Sequence, residues 1–114
     1  MYSGIYYDYV GPSGYPPYVN VISLEDLTAK FRWSKLECMK QNGPIIGYEY
    51  RLETEFETFI GRVGPEETSY TAVFKKHTVA KFSVAAVNIV GMGDYSPNIK
   101  FRIRNVSKKA QGKH

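Results

Sequence analysis

The chain has one cysteine, Cys38, in its 114 residues, so no disulfide bond can form within it. A domain of this size buries roughly two thirds of the surface that its unfolded chain exposes, so it needs neither a disulfide nor a metal ion to fold. One cysteine also says little about the redox compartment in which the protein works. The sequence therefore predicts a single domain with one hydrophobic core.

Long hydrophobic runs are also missing. The most apolar stretch, residues 82–90, is interrupted by Ser83 and Asn88, and it falls far short of the ~20 apolar residues that a membrane-spanning helix needs. The N-terminus has no basic start and no continuous apolar core before Gly11, so it does not have the pattern of a signal peptide. We expect no transmembrane span here, and a secreted parent protein would contain this chain as an internal piece.

Acidic residues are lacking only at the C-terminal end. The net charge is +4, from 15 basic and 11 acidic residues, and six of the basic ones lie from residue 100 onward: Lys100, Arg102, Arg104, Lys108, Lys109 and Lys113. Without these six, nine basic side chains stand against 11 acidic ones, so the body of the domain is nearly neutral. We therefore expect no nucleic-acid partner. The basic tail is interpreted as a solvated linker, with a heparin, lipid or nucleic-acid contact as the alternative.

Metal and phosphate motifs are absent from the sequence. Two histidines and one cysteine, spread along the chain, do not supply a zinc site. Glu53, Glu55 and Glu57 alternate along a predicted strand edge, which is typical of a solvated, protected edge. Gly91-Met92-Gly93 lacks the third glycine and the following helix of a phosphate-binding loop. We expect no cofactor and no bound metal.

The only pair of residues that resembles a nucleophile and its base is Cys38 with His77. Cys38 lies in the loop between the second and third predicted strands, and His77 lies in the loop between the fifth and sixth. In an antiparallel sandwich these loops are at opposite poles, roughly 20 Å apart. The sequence therefore predicts a protein that is not an enzyme.

Aromatic residues are abundant, with ten Tyr, six Phe and one Trp, and they favour strands. Apolar and polar residues alternate with a period of two in one segment after another, notably Leu27 to Ser34, Ile46 to Glu53, Ala80 to Val87 and Ile99 to Arg104. Val19 to Ser23, Thr58 to Val63 and Ser69 to Phe74 complete seven predicted strands. We predict an all-β, antiparallel, immunoglobulin-like sandwich of seven strands, with a barrel as the alternative.

Four motifs, in this order and at these spacings, resemble the fibronectin type III domain. They are Pro16-Pro17, Trp33 at the end of the second strand, NGPIIGYEYRL (42–52) and FSVAAVNIVGMGDYS (82–96). The resemblance covers residues 16–104, with residues 1–15 as a linker or the end of a preceding module and residues 105–114 as a basic tail or linker. It implies a structural core that contains Trp33, Tyr48, Tyr50, Leu52, Phe82, Val84, Ala86 and Phe101.

The chain departs from this family at two places. Ala80 stands where relatives usually place a tyrosine whose hydroxyl forms a corner hydrogen bond, and Ser34-Lys35-Leu36 replaces the usual prolines. The segment CMKQNGPIIGYEYRL (38–52) also resembles repeats in the ectodomains of receptor-type protein tyrosine phosphatases, although other cell-surface receptors share this pattern.

The resemblance implies a non-catalytic module that binds or spaces proteins in the extracellular part of a receptor or adhesion protein. An intracellular spacer of the giant muscle-protein type is the alternative. We expect a partner protein or adjacent domains as contacts, and a monomer in isolation. Asn105-Val106-Ser107 is the one N-glycosylation triplet in the sequence. The candidate contact surface comprises Leu36, Met39, Ile89, Val90 and Met92, unless these residues pack locally beneath their loops.

Overall fold

The computed structural model describes residues 10–104, which form two antiparallel β-sheets. The strands are β1 (Val19–Glu25), β2 (Thr28–Trp33), β3 (Ile45–Thr54), β4 (Thr58–Val63), β5 (Ser69–Val73), β6 (Thr78–Asn88) and β7 (Ile99–Ile103), and the short helix α1 is Cys38–Gln41. One sheet has the order β1-β2-β5, and the other has the order β4-β3-β6-β7. The predicted seven-strand antiparallel sandwich is confirmed, and the two separate sheets exclude the barrel.

The core lies between the sheets and is built around aromatic rings. The rings of Phe31 and Phe82, from opposite sheets, stack with centroids 3.9 Å apart and planes 8° apart. Burial of a Phe side chain stabilises a fold by roughly 1.5–3 kcal/mol. Of the eight residues expected in the core, Tyr50 and Phe101 are half-buried and pack against the central cluster, and the other six are buried: Trp33, Tyr48, Leu52, Phe82, Val84 and Ala86.

Strand β3 begins with a β-bulge that the alternating pattern did not predict. Ile45 pairs with Asn88, and Gly47 pairs with the adjacent Val87, so one extra residue of β3 lies between the two pairs. The extra residue shifts the alternation by one position, so residues before the bulge face the opposite side of the sheet from the side that the later residues would predict. Ile45 therefore packs against the core, whereas Ile46 is 48% exposed. The alternation from Ile46 to Glu53 predicts that Ile46 shares the core face with Tyr48, and for Ile46 this prediction is wrong.

The hairpin between β1 and β2 is tight, and Leu27 belongs to its turn. Asp26 and Leu27 have φ values of +20° and +67°, which are unusual for residues other than glycine. Hydrogen bonds hold the backbone of Leu27 on both sides, because its N–H donates to the carbonyl of Arg104 (3.0 Å) and its carbonyl accepts from the N–H of Phe74 (2.7 Å). β2 therefore starts at Thr28, one residue later than predicted.

The loops divide between two poles of the sandwich. The helix pole comprises residues 10–14, α1 with the β2–β3 loop, and the turn that follows β6. The opposite pole comprises the Asp26-Leu27 turn, the β3–β4 and β5–β6 loops, and Arg104 after β7. Hydrogen bonds across this second pole join the β1–β2 turn to the ends of β5 and β7, as described above for Leu27.

Residues 10–14 pack against the sandwich, whereas the sequence predicts residues 1–15 to be a linker or the end of a preceding module. The N–H of Ser13 donates to the carbonyl of Lys40 (2.8 Å), the N–H of Asp94 donates to the carbonyl of Gly14 (3.2 Å), and Pro12 is buried. Among the described residues, the segment that contacts the sandwich therefore begins before residue 16. Residues 1–9 and the predicted tail, residues 105–114 with Asn105, lie outside the described part of the chain.

Candidate interaction surface at the helix pole

Asn88 at the end of β6 organises the helix pole. Its side chain is only 2% exposed. Nδ2 reaches three backbone carbonyl oxygens, those of Val10 (2.9 Å), Gln41 (3.0 Å) and Asn42 (3.3 Å). A side-chain amide has both donors and an acceptor, so a single residue connects the N-terminal segment, α1 and β6.

The carbonyl oxygen of the same Asn88 side chain fixes the turn that follows β6. Oδ1 accepts from the backbone N–H groups of Val90 (2.9 Å) and Gly91 (3.1 Å). The turn then returns to the strand, where Met92 bridges to Val87 and the N–H of Gly93 donates to the carbonyl of Ala86 (2.9 Å). Ile89 and Val90 are therefore presented on a turn that is held at its base by hydrogen bonds.

The N-terminal segment packs closely against this turn. A Cβ atom at Gly93 would lie 2.9 Å from the carbonyl oxygen of Pro12, which is closer than such atoms approach in folded proteins. Asn42, which ends α1 in the left-handed conformation (φ +55°), donates from Nδ2 to the carbonyl of Gly11 and to Ser13 Oγ, both at 2.9 Å. Three segments that are distant in sequence thus form one connected surface.

Leu36 does not belong to the exposed part of this surface. It is 2% exposed and lies in the core cluster. Its N–H donates to the hydroxyl of Tyr48 (3.1 Å), and its carbonyl accepts from Nε2 of Gln41 (2.8 Å). The expectation that Leu36 contacts a partner is therefore wrong, because this residue packs beneath its own loop.

The other four predicted contact residues are exposed at the helix pole. Met39 on α1 is 92% exposed, and the turn after β6 carries Ile89 (69%), Val90 (48%) and Met92 (42%). We name these four residues the helix-pole patch. They are on the two segments that Asn88 connects, so the patch has a rigid base.

Cys38 and His77 lie at opposite poles, because α1 contains Cys38 and the β5–β6 loop contains His77. The strands between the poles are 10 and 11 residues long in β3 and β6, which corresponds to more than about 30 Å. The two side chains therefore do not form a nucleophile–base pair. Within residues 10–104, no group of three or more His, Cys, Asp or Glu residues could hold a metal ion.

A polar cluster on the outer face of the larger sheet was not predicted. Glu49 accepts hydrogen bonds from Nε of Arg62 (2.9 Å) and from the hydroxyl of Tyr95. Burial alone would raise the pKa of Glu49, but these two hydrogen bonds and the charge of Arg62 lower it below its ordinary value. Burial and the bond to Glu49 raise the pKa of Tyr95 to about 12. The cluster joins β3, β4 and the segment before β7.

An apolar groove lies between the sheet edges formed by β4 and β5. Its volume is about 520 Å³, and aromatic side chains such as Phe56, Phe59 and Tyr70 line it. Nζ of Lys76 lies 4.0 Å from the centre of the Phe56 ring, a cation–π contact.

In the part of the chain that the structure covers, no helix is long and apolar enough to cross a membrane.

Comparison with solved structures identifies similar folds. The chain is similar to the third fibronectin III domain of the human KIAA0343 protein, with a TM-score of 0.75 and 19% identity over 83% of this chain and 85% of that domain. It is also similar to the FN1-FN3 domains of chicken CNTN1, with a TM-score of 0.71 and 22% identity over 82% of this chain. The match spans 33% of the CNTN1 chain, so it corresponds to one part of that structure.

These identities establish the fold and not a closer relationship. The seven strands and two sheets of the chain form a sandwich of the fibronectin type III kind. No family model and no curated protein matches the sequence. The comparisons give no support to an origin in a phosphatase ectodomain.

Proposed function

We propose that the chain is a non-catalytic module that spaces other domains and contacts protein partners in the extracellular part of a multidomain receptor or adhesion protein. Solved structures with the same fold are fibronectin type III domains. Such neighbours are typically non-catalytic modules of multidomain proteins. The intracellular, muscle-type spacer is the second candidate.

The observation that carries this proposal is the position of the two ends of the packed structure. Val10 is held at the helix pole by Asn88, and Arg104 is held at the opposite pole by Leu27. The strands between them run the full length of the sandwich, about 35 Å for the 10 or 11 residues of β3 and β6. A domain with its ends at opposite poles can be placed end to end between neighbours, which is the geometry of a spacer.

The helix-pole patch is the proposed contact surface. Exposed apolar side chains on a backbone held by hydrogen bonds favour partner binding, since little backbone order remains to be imposed on association. The N-terminal segment approaches the sandwich at this same pole through Val10. A preceding domain of the parent protein would therefore be the nearest candidate to cover the patch.

Glycosylation of Asn105 tests the extracellular placement. The parent protein is expressed in eukaryotic cells, and peptides that contain Asn105 are analysed by mass spectrometry with and without glycosidase treatment. We expect a glycan at Asn105, removed by the glycosidase. If the parent enters the secretory pathway and Asn105 is wholly unmodified, the glycosylation site is wrong. If the parent never enters the pathway, the muscle-type spacer is favoured.

Hydrogen exchange tests the contact surface. Amide exchange is compared between the 114-residue chain and the parent protein for residues 38–42 and 88–93, with the β4 edge strand, residues 58–63, as the internal control. We expect slower exchange at the helix pole in the parent and unchanged exchange in β4. Equal rates at the helix pole in both proteins would contradict the assignment of the patch.

A further inference from the structure

Three basic side chains lie together on the outer face of β6 and β7. The two strands pair antiparallel, so Lys81 is directly opposite Lys100 and Val79 is opposite Arg102. Lys100 and Arg102 alternate with the inward residues of β7 and are exposed, as is Lys81. We name Lys81, Lys100 and Arg102 the cationic strip.

Within residues 10–104, no ion pair joins a basic residue of the strip to a carboxylate. In residues 10–104, the ion pairs involve other cations, for example Arg51 with Glu53 (3.3 Å) and Arg62 with Glu49 (2.9 Å). Glu53 is opposite Lys81 in the pairing of β3 with β6, but its carboxylate is held by Arg51. Like charges directly opposite each other on paired strands destabilise a sheet. The Lys81–Lys100 pair is therefore a feature that packing does not explain.

Carboxylates limit the width of the strip. Glu53 on β3 lies beyond Lys81, and on the other side Glu25 and Asp26 line the groove that Lys100 and Arg102 also line. The positive surface is thus about two strands wide, which is roughly 10 Å, and it follows the direction of β7. In the sequence, residues 105–114 add three lysines and no acidic residue after β7.

We propose that the cationic strip binds a linear sulfated polysaccharide. Such a chain is one polymer wide and carries a dense series of sulfate groups, so it can follow β7 without contacting the carboxylates on either side. A planar anionic bilayer would bring Glu25 to its surface as well. A single-stranded nucleic acid needs exposed aromatic platforms for its bases, and the aromatic residue of β7, Phe101, packs against the core. Contact with such a polysaccharide in the organism rests on the extracellular placement proposed above.

The test uses the full 114-residue chain and a heparin oligosaccharide of defined length. Affinity is measured by calorimetry at several salt concentrations, with chemically desulfated heparin as the ligand control. The strip variant is Lys81→Gln, Lys100→Gln and Arg102→Gln. The matched variant is Lys30→Gln, Arg32→Gln and Lys75→Gln, which removes the same charge from exposed positions elsewhere. Circular dichroism verifies that both variants are folded.

We expect the strip variant to bind heparin at least ~10-fold more weakly. Its affinity should also depend less on salt, with the magnitude of the slope of log affinity against log salt smaller by about three. We expect the matched variant to remain within about threefold of the original chain, because its charges lie on other surfaces. Replacement of Lys81 and Lys100 by Arg should preserve binding, since the charge is kept.

Three outcomes would overturn the proposal. The first is absence of heparin binding by the original chain, and the second is an equal loss of affinity in both triple variants, which would show an effect of net charge alone. The third is tighter binding to phosphatidylserine vesicles or to a single-stranded oligonucleotide than to heparin at the same salt concentration. These measurements use the isolated chain and do not depend on the glycan test. If the chain does not bind heparin but Asn105 carries a glycan in the parent protein, the polysaccharide proposal is rejected and the proposed function is retained.

Discussion

The hydroxyl of Tyr48 accepts a buried hydrogen bond from the backbone N–H of Leu36, with 3.1 Å between nitrogen and oxygen. Both residues are at most 2% exposed. Replacement of Tyr48 by Phe keeps the ring in the core but leaves this N–H without a partner. A buried donor that loses its partner costs about 1–3 kcal/mol. We therefore expect Tyr48→Phe to reduce the free energy of unfolding by that amount, as measured by urea denaturation.

The control for this variant is Tyr18→Phe, because Tyr18 is 70% exposed. It should change the free energy of unfolding by less than about 0.5 kcal/mol. Equal stability of the Tyr48→Phe variant and the original chain would show that water or another group satisfies the Leu36 N–H.

Asn88 is expected to be one of the most sensitive polar residues in the protein. Replacement by Asp keeps its shape but removes the donors that face the carbonyl oxygens of Val10, Gln41 and Asn42. A buried carboxylate beside carbonyl oxygens is strongly unfavourable, so we expect a loss of about 3 kcal/mol or more at neutral pH. Asn98→Asp, at an exposed position, is the matched control. Thermal unfolding of the two variants provides the comparison, and similar melting temperatures would contradict the proposed role of Asn88.

Much of the fold could be predicted from the sequence, because alternation with a period of two reflects which side of a strand is buried. The bounds of β4 were predicted without error. The face of β3 was predicted correctly from Tyr48 onward, but the bulge at Ile46 depends on the pairing with β6. The turn conformation of Leu27 likewise depends on its bonds to Phe74 and Arg104. Alternation within one segment contains no information about such partners.

The candidate surface was predicted in part for the same reason. The apolar residues of two loops indicated a patch, and four of the five are exposed. The burial of Leu36 could not be predicted, because it depends on the hydroxyl of Tyr48 across the loop. The bond between Glu49 and Tyr95 joins residues 46 positions apart. The attachment of residues 10–14 includes a bond from Asn88, which is 78 positions from Val10.

Ala80 stands at the position where the sequence resemblance described above implies a tyrosine ring. It is 1% exposed and pairs with Thr54 on one side and Phe101 on the other. Because the site is enclosed by the core cluster, we expect Ala80→Tyr to overpack it and to cost about 1–3 kcal/mol. Val79→Tyr is the control, since Val79 is 39% exposed on the other face of β6. A higher melting temperature for Ala80→Tyr would instead indicate that space for the ring is still open.

The Glu49–Tyr95 bond should make stability depend on pH at both ends of the range. The pKa of Glu49 is lowered from 4.5 in the folded protein, so its contribution is present above pH 4.5 and is lost as the pH falls through the folded pKa. The pKa of Tyr95 is raised from 10.0 to about 12, so its contribution is present below pH 10 and is lost as the pH rises towards 12. Between these limits we expect Tyr95→Phe to be less stable than the original chain by about 1 kcal/mol, because the bond is charge-assisted but partly exposed to solvent.

Urea denaturation of the original chain and of Tyr95→Phe from pH 3 to pH 11 measures this dependence. The difference in free energy of unfolding should be constant near neutral pH and should shrink below about pH 4 and above about pH 10, where one partner changes its protonation state. Tyr15→Phe is the control, because the Tyr15 side chain is 41% exposed, and it should show a small difference at every pH. A Tyr95→Phe difference that does not vary with pH would mean that its cost arises from packing, and that the hydrogen bond to Glu49 contributes nothing to stability.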